Sequence, residues 1–182
     1  MGRPKGLLRF RGRTFLEHIL DAIANSRIDH AVVVVGHHRV EIENGFPGLR
    51  TVYNAHYEQG MSTSVQAGLN ALPQGVTAAA LFLVDHPLIE GPTIDSLVSA
   101  IEPGRIVLPV NNGRRGHPIV ISSELFDEIL ALSPDQGLNL VVRRDPARVI
   151  EVAAPSAGIL LDIDTPEDYE RLTGTTTDPP PQ

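Results

Sequence analysis

Three short, β-branched apolar runs constrain this chain most: AVVVVG at 31–36, AAALFLV at 78–84 and RIVLPV at 105–110. Each is nearly continuous in apolar character instead of alternating, which is the pattern of a strand covered on both faces. Helical stretches separate them. Thr14-Phe15-Leu16-Glu17 has the form of a capping box, and Phe15, Leu16, Ile19, Leu20 and Ile23 follow at helical spacing. Residues 62–72 place Val65, Leu69 and Leu72 on one side, and 92–101 has a proline near its start. Further helices are expected at 123–132 and 137–144. Further strands are expected at TVYN (51–54), PIVIS (118–122), VIEVAA (149–154) and GILLDI (158–163). A last helix opens at Thr165 as N-cap, with Pro166 in the first position and Asp168 closing the box. Strands and helices alternating in this way predict an α/β fold with a mostly parallel sheet between two helical layers. We read one domain over residues 1–172 and a disordered Thr/Pro-rich tail at 173–182.

Composition removes several functions. A net charge of −7 argues against a general nucleic-acid binder. With no cysteine, thiolate metal sites and a cysteine nucleophile are excluded. No apolar run reaches the ~20 residues needed to span a bilayer, so a soluble, cytoplasmic protein without a membrane partner is expected. There are fourteen arginines and one lysine, and Lys5 stands in a Gly-Arg-Pro-Lys turn beside Arg3, Arg9, Arg11 and Arg13. A compact ammonium in such a turn suits phosphate contact as a point charge.

In an open α/β sheet, ligands bind beyond the carboxyl ends of the strands. Asp85 directly follows LFLV there, and Asp162 and Asp164 end the apolar run GILLDI, on one face by strand alternation. Either acid alone is explained by capping a turn. Together, strand-end acids from distant segments fit one hard cation bridging phosphates, as Mg²⁺ does when it takes one or two carboxylates and keeps its waters. GMSTSVQAGL (60–69) combines a glycine, three hydroxyls and a helix start, where free N–H groups can meet an anion or a base edge; ordinary capping by Ser62 or Thr63 is the simpler reading. In NNGRRGHPIV, Arg114, Arg115 and His117 are placed to grip an anionic second substrate, unless the loop is a plain solvated turn. No Walker loop or nucleophile elbow is present in the sequence, which leaves metal-assisted chemistry on a nucleotide phosphate.

MGRPKGLLRFRGRTFLEHIL, GMSTSVQAGL, LFLVDHPLI, RGHPIVIS and DIDTPEDY, in that order, resemble the MobA/MocA-type nucleotidyltransferases of the molybdenum cofactor over residues 1–172. The resemblance implies a Rossmann-like three-layer fold of the nucleotide-diphospho-sugar transferase type. It also implies transfer of CMP from CTP to a molybdopterin-type phosphate with release of pyrophosphate, Mg²⁺ as cofactor, and a molybdoenzyme or maturation chaperone as macromolecular partner. Gly2, Arg3 and Lys5 would contact the nucleotide phosphates, with Lys5 and Asp85 as the catalytic pair. Ser62, Thr63, Ser64 and Gly68 would lie near base or ribose. Arg115, Gly116 and His117 would hold the acceptor. Asp85 would be the principal metal ligand, completed by Asp164 with Asp162 as alternative. Two departures stand out: Asp85-His86-Pro87 replaces the frequent Asp-Gln-Pro, and only the second half of the family's strand–glycine-loop opening is present, which reads as an N-terminal truncation. A GTP-dependent or sugar-phosphate transferase of the same fold, or a truncated non-catalytic protein that delivers a cofactor, are the alternatives.

Overall fold

The structure, a computed structural model, describes residues 4–174. Lys5–Leu7 form a 3-10 turn. A small hairpin follows, of β1 (Arg9–Phe10) and β2 (Arg13–Thr14), leading into helix α1 (Phe15–Ala24). The helix starts where the capping box predicts: the Glu17 amide donates to Thr14 Oγ1, and the Thr14 amide donates back to Glu17 Oε2. Then come β3 (Val33–Val35), α2 (Arg39–Gly45), β4 (Thr51–Tyr53), α3 (Met61–Asn70), β5 (Ala78–Leu81) and α4 (Gly91–Ser99). The second half holds β6 (Ile106–Asn111), β7 (Arg114–Arg115), β8 (Ile119–Ser122), α5 (Phe126–Leu130), α6 (Asn139–Arg144), β9 (Val149–Ala153) and α7 (Pro166–Gly174).

The strands form a mixed sheet in two parts. β5, β8 and β6 lie side by side with β8 antiparallel to both, β7 pairs with the end of β6, and β9 pairs with β6 in parallel. β3 and β4 form a separate parallel pair. An apolar cavity of about 990 Å³ separates β3 from β5. The fold is the Rossmann-like α/β architecture that the strand–helix alternation anticipates.

Three expectations change. AAALFLV pairs only as far as Leu81, because residues 82–84 have no neighbouring strand. GILLDI is not a strand: Ser156 Oγ accepts from the Gly158 amide and seeds a 3-10 turn over Ala157–Leu160, so the backbone groups are used locally. Gly158 fits this crossing because a Cβ there would overlap the Leu88 carbonyl. Finally, α7 runs to Gly174, so Thr173 and Gly174 belong to the helix; the rest of the expected tail, 175–182, lies outside the described residues. Among the described residues no helix is long and apolar enough to cross a membrane.

Candidate active site

The site assembles around Lys5. Pro4 sets the chain in extended conformation, the 3-10 turn closes with the Leu7 amide on the Pro4 carbonyl, and Gly6 is buried against Ile42 and Val84. That packing holds the Lys5 side chain over the carboxyl end of β5. Its ammonium donates to Asp85 Oδ2 at 3.3 Å and to Asp164 Oδ1 at 2.5 Å. Asp85 and Asp164 are brought together by a backbone bond, the Ile163 amide donating to the Asp85 carbonyl at 3.0 Å. Burial lowers the Lys5 pKa, but the hydrogen bond that Lys5 donates to Asp164 and the charge of Asp85 outweigh it and raise the value above that of an ordinary lysine.

Two acids from segments 79 residues apart (164 − 85) therefore hold one cation between them. Asp85 Oδ1 is buried without a hydrogen-bond partner, so the carboxylate keeps acceptor capacity. A hard divalent cation fits this donor set, since it needs only one or two carboxylates when waters and phosphates complete its shell. Among the described residues no group of three or more metal-ligating side chains exists, so the protein offers a shared site and not a closed cage. Asp162 is exposed, and the lysine bridges Asp85 to Asp164 and not to it.

The hydroxyls at the start of α3 are largely committed to the protein. Ser62 Oγ donates to the Pro134 carbonyl, and Thr63 Oγ1 donates to the carbonyls of Gly60 and His56. The N-cap is Gly60, not Ser62 or Thr63. Asn54, unremarked in the sequence, ties this turn to the end of β4: its Nδ2 donates to Thr63 and Ser64, and its Oδ1 accepts from the His56 amide. Its only signal was its place at a strand's carboxyl end. Gly68 lies against Val34 and lines the cavity. Gly2 and Arg3 lie outside the described residues.

On the opposite side, Arg115 is exposed and bonded through Nε to Glu151 of β9 at 2.7 Å. A Cβ on Gly116 would overlap the Ile159 carbonyl, so only glycine lets the loop pass. His117 is half-buried, with its ring 5.2 Å from that of His86. Burial, then the nearby His86, hold its pKa below the ordinary histidine value. Nδ1 of both rings lacks a partner, so with Asp85 Oδ1 the unpartnered buried polar side-chain atoms of the described residues all gather here. His86 was noticed in the sequence only as a departure from a motif. Its contact with the His117 loop depends on tertiary structure.

The MobA-like NTP transferase domain matches residues 1–149. The chain belongs to this family. Relatives of the MobA-like protein include "Nicotine blue oxidoreductase" of Paenarthrobacter nicotinovorans, 29% identical over 94% of this chain and 89% of that protein. Another is "Molybdenum cofactor cytidylyltransferase" of Escherichia coli (strain K12), 28% identical over 93% of this chain and 86% of that protein. Rv0371C of Mycobacterium tuberculosis H37Rv, solved as a complex with manganese, superposes with a TM-score of 0.82 at 26% identity, covering 95% of this chain and 93% of that one. The MobA-like chain is thus a nucleotidyltransferase, in which one lysine bridges Asp85, beyond β5, and Asp164, beyond the 3-10 turn at Ala157–Leu160.

Proposed function

We propose that the protein transfers CMP from CTP to a phosphorylated acceptor of the molybdopterin type, with Mg²⁺ held by Asp85 and Asp164. The observation that carries this reading is the Lys5 ammonium bridging those two carboxylates. Both acids face a single ammonium, which supports a cation position shared between them. With Mg²⁺ bound there, Lys5 would be free to contact the phosphates. An oxygen of the acceptor phosphate forms a bond to the α-phosphorus of CTP, the bond from that phosphorus to the β-bridging oxygen breaks, and pyrophosphate leaves. A bound Mg²⁺ supplies charge neutralisation of the triphosphate and its leaving group. Lys5 contributes a point charge to the phosphates. The turn at Gly60–Ser64, fixed by Asn54, presents the start of α3 toward the nucleoside, and the Arg115–His117 loop borders the acceptor side. The cytidylyltransferase relative and the GMSTS and RGHP segments support CTP over GTP.

The test is a pyrophosphate-release assay with CTP, GTP, ATP and UTP, each with Mg²⁺ or Mn²⁺ and molybdopterin as acceptor, beside thermal shifts with each nucleotide. CTP is expected to give the largest rate and shift. Asp85→Ala and Lys5→Ala are each expected to lower the rate by at least about 100-fold, the scale of losing a principal electrostatic contact to a transferring phosphate. A preference for GTP would replace the base assignment. No shift and no turnover with any nucleotide would sink the reading.

A further inference from the structure

Three buried side-chain atoms among the described residues have no hydrogen-bond partner: Asp85 Oδ1, His86 Nδ1 and His117 Nδ1. Such atoms are costly to leave unpaired, and the nucleotidyl-transfer reading gives neither ring nitrogen a role. The segments that carry them are held firmly. The His86 amide donates to the Leu83 carbonyl at 3.1 Å, and Pro87 after it is fully buried. The turn at Ala157–Leu160 passes close to both histidine segments: Gly158 lies against the Leu88 carbonyl, and the Ile159 carbonyl accepts from the His117 amide at 3.0 Å. His86 is itself only 8% exposed. Its Nε2 lies 3.9 Å from Asp85 Oδ1, and its ring centroid lies 5.2 Å from that of His117. Asp85 meets Lys5 through its other oxygen, Oδ2, at 3.3 Å. Oδ1 is therefore the rear oxygen of the carboxylate, and a histidine stands behind it.

A neutral imidazole donates at one nitrogen and accepts at the other. With its proton on Nε2, His86 has a donor aimed at Oδ1, and a single N–H···N bond between the two rings serves both Nδ1 atoms. Two bonds thus satisfy all three orphaned atoms. The bond to Asp85 is not closed as the side chains stand, and its 3.9 Å must shorten by about 1 Å to reach hydrogen-bond length. We infer that His86, backed by His117, is a positioning residue for Asp85: its Nε2–H holds Oδ1 from behind, so that Asp85 meets a divalent cation through Oδ2 alone. The inference rests on the reading of Asp85 and Asp164 as the cation's ligands. Partners of this kind orient a metal-binding carboxylate. A carboxylate free to turn offers a cation one oxygen or two, whereas one held at its rear oxygen offers one. That restriction suits Mg²⁺ and Mn²⁺. Mg²⁺ demands near-ideal octahedral geometry, whereas Ca²⁺ accepts two-oxygen carboxylates in a looser shell. His86 therefore sets the choice of cation as well as the affinity.

Metal titrations of the 182-residue chain at fixed pH, without nucleotide or acceptor, test it. Mn²⁺ binding is read from the paramagnetic resonance signal of the free ion, Ca²⁺ binding by competition with Mn²⁺, and folding from the melting temperature without metal. His86→Leu is expected to weaken Mn²⁺ by about 10–100-fold, the usual cost of losing a partner of a metal ligand, and Ca²⁺ by much less. His86→Gln keeps an N–H donor and is expected to restore most of the Mn²⁺ affinity. His117→Phe keeps a ring beside His86 without its nitrogens and is expected to weaken Mn²⁺ in the same direction by a smaller factor. It decides the matter if His86→Leu fails to fold. Equal losses of Mn²⁺ and Ca²⁺ in His86→Leu would show a merely structural role and overturn the inference. So would unchanged Mn²⁺ affinity in the folded variants, or His86→Gln binding no better than His86→Leu. A second Mn²⁺ per chain that disappears with His86→Leu would overturn it in favour of imidazoles that ligate metal directly. No Mn²⁺ binding by the unsubstituted chain would instead sink the metal reading of Asp85 and Asp164, a result distinct from binding that His86 does not affect.

Discussion

β6 and β5 are nearly equal in apolar character, yet they lie in different surroundings. β6 has β8 and β9 on its two edges and helices on its faces, and Ile106 and Val107 are 0% exposed. β5 has β8 on one edge and the cavity on the other, and every one of its residues keeps some exposure. Burial is therefore a property of neighbours and not of the run itself. The packed half of the sheet should respond to mutation as a protein core does, and the half beside the cavity as a surface does.

The largest stability difference is expected from truncating side chains in each half. Ile106→Ala should cost about 3 kcal/mol in denaturant unfolding, because a cavity opens where nothing can move in. Val34→Ala should cost about 1 kcal/mol or less, since its side chain borders space already empty. Equal costs would break the comparison.

Two glycines extend the contrast. Gly116→Ala should destabilise by about 2 kcal/mol, because the new methyl meets the Ile159 carbonyl in the packed half. At Gly68 a Cβ would come 3.2 Å from Val34 Cγ2, which can shift into the cavity. Gly68→Ala should be neutral, or stabilising by up to ~1 kcal/mol through helix propensity, as read from melting temperature. A local feature serves as control: Thr14→Ala should cost about 1 kcal/mol by removing the capping box, as read from melting temperature.

The smallest effect is one of pH. His117 is held below its ordinary pKa of 6.5 by burial and by His86, while Asp85 and the Leu81 backbone oppose this. The unfolded chain therefore takes up that proton first as pH falls. His117's contribution is complete above pH 6.5 and is lost as pH drops from 6.5 toward the folded value. His117→Gln should flatten this part of a stability–pH curve measured by urea unfolding. Lys5 adds no pH dependence in that range: its pKa is raised, so its contribution is fully present below 10.5 and fades only as pH rises through the folded value.

Much of this was readable one segment at a time. The capping boxes at Thr14 and Thr165 depend on residues three apart, and both close as their spacing predicts. The position of Asp85 beyond β5 was legible, because it follows the apolar run 78–84, although the strand itself stops at Leu81. GILLDI misled because its apolar content suits a strand, while Ser156 and Gly158 turn its backbone inward. Ser62 and Thr63 offered hydroxyls at a helix start, and only the path of residues 56–60 and 133–134 shows that those hydroxyls bond to carbonyls. Asn54 signalled itself only by following a strand, and His86 only by departing from a motif; neither signal names the partners these residues meet.

The sequence by itself determined the alternation of strands and helices, the helix starts, and the acids and single lysine available for phosphate chemistry. These follow from side-chain periodicity and from backbone groups satisfied within a few residues. Tertiary structure alone decided that Lys5 meets Asp85 and Asp164, that His86 faces His117, and that β3 and β5 stand apart across an apolar cavity. Those outcomes depend on which distant segments share an edge, and no local spacing encodes the partner of a strand.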